Sequence, residues 1–269
     1  MTDQRSSDPT ATSTLRSRYR RALHKPFNEM ITIINEAVNE RDIFDAMSLP
    51  SSDFEFTRDR EKVDKFMEWL HQYEEDNLLQ VVTRDENQYV RSAYKSGLKA
   101  SERDLSSQGF EAANIDSLLD MPVHQQKLTD IYIRNFEDLN GITSEMSSQI
   151  RDELTHGLAT GQNPNVIASN LTDRVEKIGK TRSKVLARTE VIESHNTAAL
   201  ERYKQVLGDE AEVTINAEVM SAGDRRVCDI CEPLHGQVFS LQSLDDNKPP
   251  FHPQCRCTIA SVPQRTATV

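Results

Sequence analysis

All four cysteines of this 269-residue chain fall within 30 positions near its C-terminal end, in Cys228-Asp-Ile-Cys231 and in His252-Pro-Gln-Cys255-Arg-Cys257. Thiols at i and i+3 turn toward one point. A second cluster offering His252, Cys255 and Cys257 completes a tetrahedral set of the kind that holds a structural zinc ion. Five donors thus compete for four positions. Cys228, Cys231 and Cys255 lead, and His252 and Cys257 are equal candidates for the fourth. Pro253 stiffens the chain beside His252. Cys257 reaches the metal of Cys255 only if Arg256 is extended, because i and i+2 side chains then share a face. Two other chemistries suit the same residues: a pair of disulfides in an oxidising compartment, and a CxxC redox couple. The redox couple expects a βαβ setting, whereas Cys228 reads as loop between short strands. The 23 residues between Cys231 and Cys255 slightly exceed the commonest zinc spacing, and their turn-rich insertion, Ser243 to Pro250, is expected to loop out.

The remaining candidates are weaker. His235, in Leu-His-Gly, reads as a loop residue beside a glycine with positive φ. His195 reads as a helix-surface histidine, and His71, His124 and His156 have no partner motif. Arg188 and Glu190 are two apart on a helix, so they diverge and do not pair with each other. One or both are expected to anchor that helix to the C-terminal module through charged partners such as Asp224 or Arg226.

The elements that must position these residues are mostly helical. Residues 1–13 are polar and read as a disordered tail. An apolar stripe of Leu15, Tyr19, Leu23, Phe27, Met30, Ile31, Ile34 and Val38 predicts a helix from Ser13 to about Met47, kinked or divided at Pro26. After a break at Leu49-Pro50, helices are predicted over about 58–81, 86–105, 122–139 and 144–160. Asn163-Pro164 then supplies an N-cap and an N1 proline for a short helix to about Ile178. A longer helix follows from Lys180 to Leu207, with Val185, Thr189, Ile192, Asn196, Ala199 and Tyr203 on one stripe and Gly208 as its C′ glycine. From Ala211 the pattern changes, with strands predicted over 212–220, 237–240 and 257–262. Such a module of about 50 residues buries too little to stand alone, so a metal is what its stability demands. The fold class is α+β, predominantly α-helical: an elongated helical body with a small, zinc-stapled, loop-rich C-terminal β module. The segments are 1–13 (tail), 14–110 (N-terminal helical region with a basic start), 111–210 (helical part of a second domain), 211–262 (cysteine-containing module) and 263–269 (tail).

Composition bounds the function. Hydrophobic residues are 36% and charged residues 28%, a lean core for this length, and the net charge of −11 argues against nucleic-acid binding by the whole surface. The charge is uneven, with residues 1–26 carrying +4. Arg16, Arg18, Arg20 and Arg21 are therefore a candidate contact for DNA or for an acidic protein surface. No apolar run is long enough to cross a bilayer, and no signal peptide is evident, so a soluble product of the cytoplasm is expected.

The order of motifs over about residues 120–262 resembles the phage head-morphogenesis family, the Mu F-like minor head proteins of tailed viruses. Gly157-Leu-Ala-Thr-Gly161 is followed by Ala187-Arg188-Thr189-Glu190 and by Asn196 on the same helix. Then come Asp224-Arg225-Arg226-Val227-Cys228, Leu234-His235-Gly236, Pro249-Pro250 and the His252-to-Cys257 ending. The resemblance implies a minor capsid protein of the virion, made in the host cytoplasm and sited inside the head near the portal vertex. It implies the portal protein or the major capsid protein as partner, no membrane and no enzymatic activity. Some relatives carry C-terminal toxin domains; none is expected after Val269. The competing class is a zinc-dependent nuclease or hydrolase, or a scaffold, acting during genome packaging.

Overall fold

The computed structural model describes residues 8–40, 55–209 and 213–265. The outer parts of both expected tails (1–7 and 266–269) and the expected break at Leu49-Pro50 lie outside them. Of the described residues 70% are helical, with a small three-stranded antiparallel sheet, the α+β class that the apolar periodicity predicts. Its elements run α1 (Ser13–Glu40), α2 (Glu55–Tyr73), a π-helical turn (Glu74–Leu78), a 3-10 turn (Leu79–Val81), α3 (Gln88–Ser107) and α4 (Ile115–Leu119). They continue with α5 (Pro122–Ala159), α6 (Pro164–Asp209), β1 (Val213–Met220), β2 (Val238–Ser240), α7 (Leu244–Asn247) and β3 (Thr258–Arg265).

Three expected breaks are absent. α1 continues through Pro26, whose carbonyl accepts a hydrogen bond from the Tyr73 hydroxyl at 2.9 Å. α5 is one helix where two were predicted, with Gly141 inside it, and α6 fuses the short helix after Pro164 with the long one, absorbing Gly179 and Gly208. A helical glycine costs about 1 kcal/mol against alanine, which packed flanks override. Gly179 has a packing reason as well, since a Cβ there would lie 2.6 Å from the Phe27 ring. The described end of the expected N-terminal tail is also ordered. The Asp8 carboxylate accepts the Ser13 N–H at 2.6 Å, and Thr10 and Thr12 are buried and share a 2.7 Å hydrogen bond. At the other end, β3 runs three residues past the expected strand end at Val262.

The chain forms two compact units interleaved along its length. One comprises Met1–Tyr19, Arg84–Arg134 and Val185–Val269; the other comprises Arg20–Thr83 and Asn135–Lys184. The second unit has a core of Phe27, Met30 and Ile34 from α1, Phe66, Met67 and Leu70 from α2, Met146, Ile150 and Leu154 from α5, and Ile167, Leu171 and Val175 from α6. These positions recur every three to four residues, so each helix presents one apolar stripe to the others.

In the first unit α3 lies directly against α6. A Cβ on Gly97 would sit 2.1 Å from the His195 carbonyl oxygen and 2.9 Å from Ala198. Gly97→Ala is therefore expected to force the two helices apart and cost about 3 kcal/mol. Gly141→Ala, which meets open space, is expected to add about 1 kcal/mol. Urea unfolding of both variants checks the contrast. The Arg202–Glu102 ion pair is buried in the same packing, and Glu102 also accepts the Ala113 N–H at 2.6 Å.

His195 is not on the surface as expected: it is 2% exposed, and burial holds its imidazole down to about 4. The unfolded chain takes up that proton near 6.5. Its contribution to stability is therefore full above pH 6.5 and is lost as pH falls toward 4, by roughly 3 kcal/mol. Unfolding free energies measured at pH 7 and 4.5 are expected to differ less in His195→Gln by about that amount.

The sheet has the order β2-β1-β3, all antiparallel. Val219 spends its N–H and C=O on Gln237 and Gly236, on the β2 side. Its partner in register on β3 is Ile259, so the N–H of Ile259 and, two residues on, that of Ser261 point off the free edge. Two helices cap that edge. The Asn196 Oδ1 on α6 accepts from Ile259 at 3.1 Å, and the Asp104 carboxylate on α3 accepts from Ser261 at 2.7 Å. On the face of β1, Ile215, Ala217 and Val219 are buried at alternate positions and join Leu200, Tyr203 and Val206 of α6 in one core with Cys231, Cys255 and Cys257.

Candidate metal centre

Two loops from this sheet carry the candidate ligands. The loop between β1 and β2 turns tightly at Cys228, whose carbonyl accepts the N–H groups of Cys231 (3.0 Å) and Glu232 (2.9 Å). That turn swings both thiols to one side. The loop before β3 makes a second turn, with Gln254 at a φ of 66° and the Cys255 N–H donating to the His252 carbonyl at 3.1 Å. The insertion between them does not loop out. It forms α7, with Leu244 buried and Lys248 paired to Glu193 of α6 at 3.1 Å.

All five predicted ligands come together. Cys228, Cys231 and His252 form one group of mutually close donors, and Cys231, Cys255 and Cys257 form another, with Cys231 common to both. His252 Nε2 lies 3.1 Å from both the Cys228 and Cys231 sulfurs, and the Cys231 and Cys255 sulfurs are 3.7 Å apart. Sulfurs held at 2.3 Å from a tetrahedral ion are separated by about 3.7 Å. The four cysteines are free, so neither disulfide is formed. The His252 Nδ1 lies 2.8 Å from the Pro253 carbonyl, which accepts an N–H and leaves Nε2 with its lone pair facing the sulfurs. This cluster of buried and half-buried donors could hold a metal ion.

The thiols are not equivalent. A hydrogen bond from the Cys257 thiol, with the Cys257 N–H at 3.4 Å, draws the Cys255 thiol down to about 5. The same contact pushes the Cys257 thiol far up. Burial lifts Cys231 to about 12. Burial opposes ionisation of Cys228 too, but the backbone N–H groups of Cys231 and Ile230 bring it below its ordinary value.

Arginines surround the cluster. Arg256 is held by Asp224 through two bonds of 2.7 and 2.6 Å, and Arg226 joins the same carboxylate at 3.0 Å. These bonds hold the Asp224 carboxyl well below the usual range, the Arg256 contact foremost. Arg188 is lowered by burial and by the positive charges of Arg16, Arg256 and Arg226. It donates to the Gln254 carbonyl at 3.4 Å. The expected anchor from Arg188 therefore exists, but it reaches a carbonyl, because Asp224 is occupied by Arg256 and Arg226. Glu190 pairs with Arg134 of α5 at 3.3 Å. Arg16 is turned inward on Asp8 at 2.9 Å, whereas Arg18, Arg20 and Arg21 are exposed.

Asn196 carries the anchoring that the charged pair was expected to supply. Its Nδ2 donates to Ile192 (2.9 Å) and to the Cys257 carbonyl (3.2 Å), while its Oδ1 accepts from Thr258 (3.0 Å) and Ile259 (3.1 Å). Its place on the stripe facing the module was the available signal. Asp104 lies in a segment without motif and had none. His235 is a loop residue as predicted, accepting the Ser221 N–H at 3.2 Å, beside Gly236 at a φ of 79°.

A helical body joined to a small sheet whose loops gather cysteine and histidine defines a structural class: a helical protein closed by a thiol-rich, metal-competent module. Residues 148–260 match the family described as phage Mu protein F like protein, which supports assignment to the phage head-morphogenesis family. The match takes in the end of α5, all of α6 and the module as far as Ala260. No curated protein and no solved structure matches the chain. The family fits a minor structural role in the phage head and a location in the virus particle. Among the described residues, no helix is long and apolar enough to cross a membrane.

Proposed function

We propose that the protein is a minor head component that acts by binding at the portal vertex or the inner capsid during head assembly, with a structural zinc ion closing its C-terminal module. The observation that carries this reading is the family match over 148–260, which takes in the whole cysteine cluster. The portal protein or the major capsid protein is the partner. Arg18, Arg20 and Arg21, exposed on α1, are the residues offered to packaged DNA. In this reading Cys228, Cys231, Cys255 and His252 hold the zinc. His252 takes the fourth place because its Nε2 faces two sulfurs and its Nδ1 is held by a carbonyl. Cys257 stays protonated and donates to Cys255. Four protein ligands leave no open position for a substrate or an activated water, so the centre supports binding rather than catalysis.

Locating the protein in finished particles tests the role. Density beside the portal, together with the protein in the particle's peptide inventory, is the expected result. Absence from mature heads would point to a scaffold. Metal-dependent DNA cleavage lost in Cys228→Ser would replace the structural reading with a nuclease.

A further inference from the structure

We propose that the second unit carries a binding site for a primary alkylammonium group, centred on Glu74 in the π-helical turn. The site is remote in kind from the metal centre and independent of it. Its geometry begins with an unusual backbone. The chain leaves α2 through a single π turn, Glu74–Leu78, a conformation that is rare and frequently found at functional sites. The end of α2, this turn and α5 line an open cleft of about 410 Å³. Glu74, Glu75 and His71 line one wall; Ser144, Ser147 and Arg151 are on the other.

Glu74 is 6% exposed, yet only one of its carboxyl oxygens is used. Oε1 accepts the buried Ser147 hydroxyl at 2.6 Å, and Oε2 has no hydrogen-bond partner among the described residues. A carboxyl oxygen without a protein partner, on a residue that lines a polar cleft, is suited to a donor from outside. The donor is a cation, because the wall carries two carboxyls while the one arginine there, Arg151, faces Asp64 at 3.5 Å. A metal ion is the wrong size. Among the described residues no three acidic, histidine or cysteine donors converge here, and the space far exceeds an ion. A guanidinium is also the wrong shape. Its planar fork is best served by two free oxygens of one carboxylate, and Glu74 offers one. An ammonium has three separate donors for Oε2 and the surrounding hydroxyls.

Burial pushes the Glu74 carboxyl up to about 7, against the Ser147 bond, with the Glu75 charge adding to the rise. An ammonium arriving at Oε2 favours the ionised form, so binding near neutral pH releases a proton. The groups facing Glu74 are Glu75 and His71 from its own wall, and Ser147 and Arg151 from α5.

Two sources of the same chemistry are separable with simple probes on the full-length protein: N-acetyl-lysine methylamide for a partner's lysine and putrescine for a free polyamine. N-acetyl-norleucine methylamide is the uncharged control. Trp69 is the only tryptophan and packs against this unit's core, so its fluorescence reports binding alongside calorimetry. One or both amines are expected to bind about tenfold more tightly at pH 8 than at pH 6, with proton release, while the norleucine control does not bind. The pH step is expected to persist in His71→Gln and vanish in Glu74→Gln with at least a tenfold loss. Should Glu74→Gln fail to fold, Glu74→Asp serves instead: it draws the carboxyl back by one methylene and is expected to weaken both amines at least several-fold, and unchanged affinity would overturn the proposal. Binding by neither amine at pH 8, equal binding by the norleucine control, equal binding by an alkylguanidine, or indifference to Glu74→Gln would overturn the proposal.

Discussion

Cys231→Ser is expected to abolish stoichiometric zinc binding and to unfold the module over residues 213–265. Cys231 is the one thiol common to both donor groups, 3.1 Å from His252 Nε2 and 3.7 Å from the Cys255 sulfur. Its loss therefore cuts the link between the β1–β2 loop and the loop before β3. A structural zinc contributes about 10–16 kcal/mol of apparent binding free energy at neutral pH. A whole domain is stable by only about 5–15 kcal/mol, so three strands of eight, three and eight residues have no means of replacing it. Amide exchange across β1 and β3 is expected to lose its protection, and chelation of the wild type is expected to do the same.

The injury should stay local in one respect. The core around Phe27, Phe66, Ile150 and Leu171 shares no residue with the cluster around Cys231, so its protection is expected to persist. The first unit will suffer more, because Leu200, Tyr203 and Val206 lose the strand residues that cover them. Cys257→Ser is the discriminating control. It is expected to keep one zinc per chain, whereas His252→Gln is expected to lose most of it. The reverse pattern would exchange those two residues in the ligand set without disturbing the rest.

The parts of this fold that were legible in the sequence are those whose signal is local. The stripe of Phe27, Met30 and Ile34 repeats at helical spacing, Asn163 caps α6 and accepts the Asn165 N–H at 2.9 Å, and the three strands appear within a few residues of their predicted ends. The five metal-site candidates were legible because each is a rare residue type at a short spacing. What the sequence hid depends on distant neighbours. Gly179 reads as a break, but it accommodates Phe27 from another helix. His195 reads as exposed because its neighbours on the helix are polar, yet Ser194, Asn196 and Glu190 are themselves buried. Asn196 faces inward there because the free edge of β3 has an N–H, that of Ile259, which needs an acceptor. No local pattern announces the need of a strand more than 60 residues away.

That need makes Asn196 the position where a small substitution is expected to cost most outside the metal site. Its amide satisfies two backbone groups of the module, the Cys257 carbonyl and the Ile259 N–H, and one side chain, the Thr258 hydroxyl. All of these are buried, so no water waits to replace the lost partners. Leaving a buried polar group unsatisfied costs about 1–3 kcal/mol. Neither Cys257 nor Ile259 can turn away, because one adjoins the thiol cluster and the other is in register with Val219. Asn196→Ala is therefore expected to destabilise the first unit by about 3–5 kcal/mol, lowering its Tm by roughly 10 °C or more. Asn196→Asp separates the two halves of the amide. It keeps the acceptor for Ile259 and Thr258 but turns a second oxygen toward the carbonyls of Ile192 and Cys257. At pH 7 that arrangement sets a carboxylate against two carbonyl oxygens, and the variant is expected to melt no higher than Asn196→Ala. If the aspartate variant melts like the wild type, the hydrogen bonds from Nδ2 are dispensable, and the edge of β3 alone explains why an amide stands here.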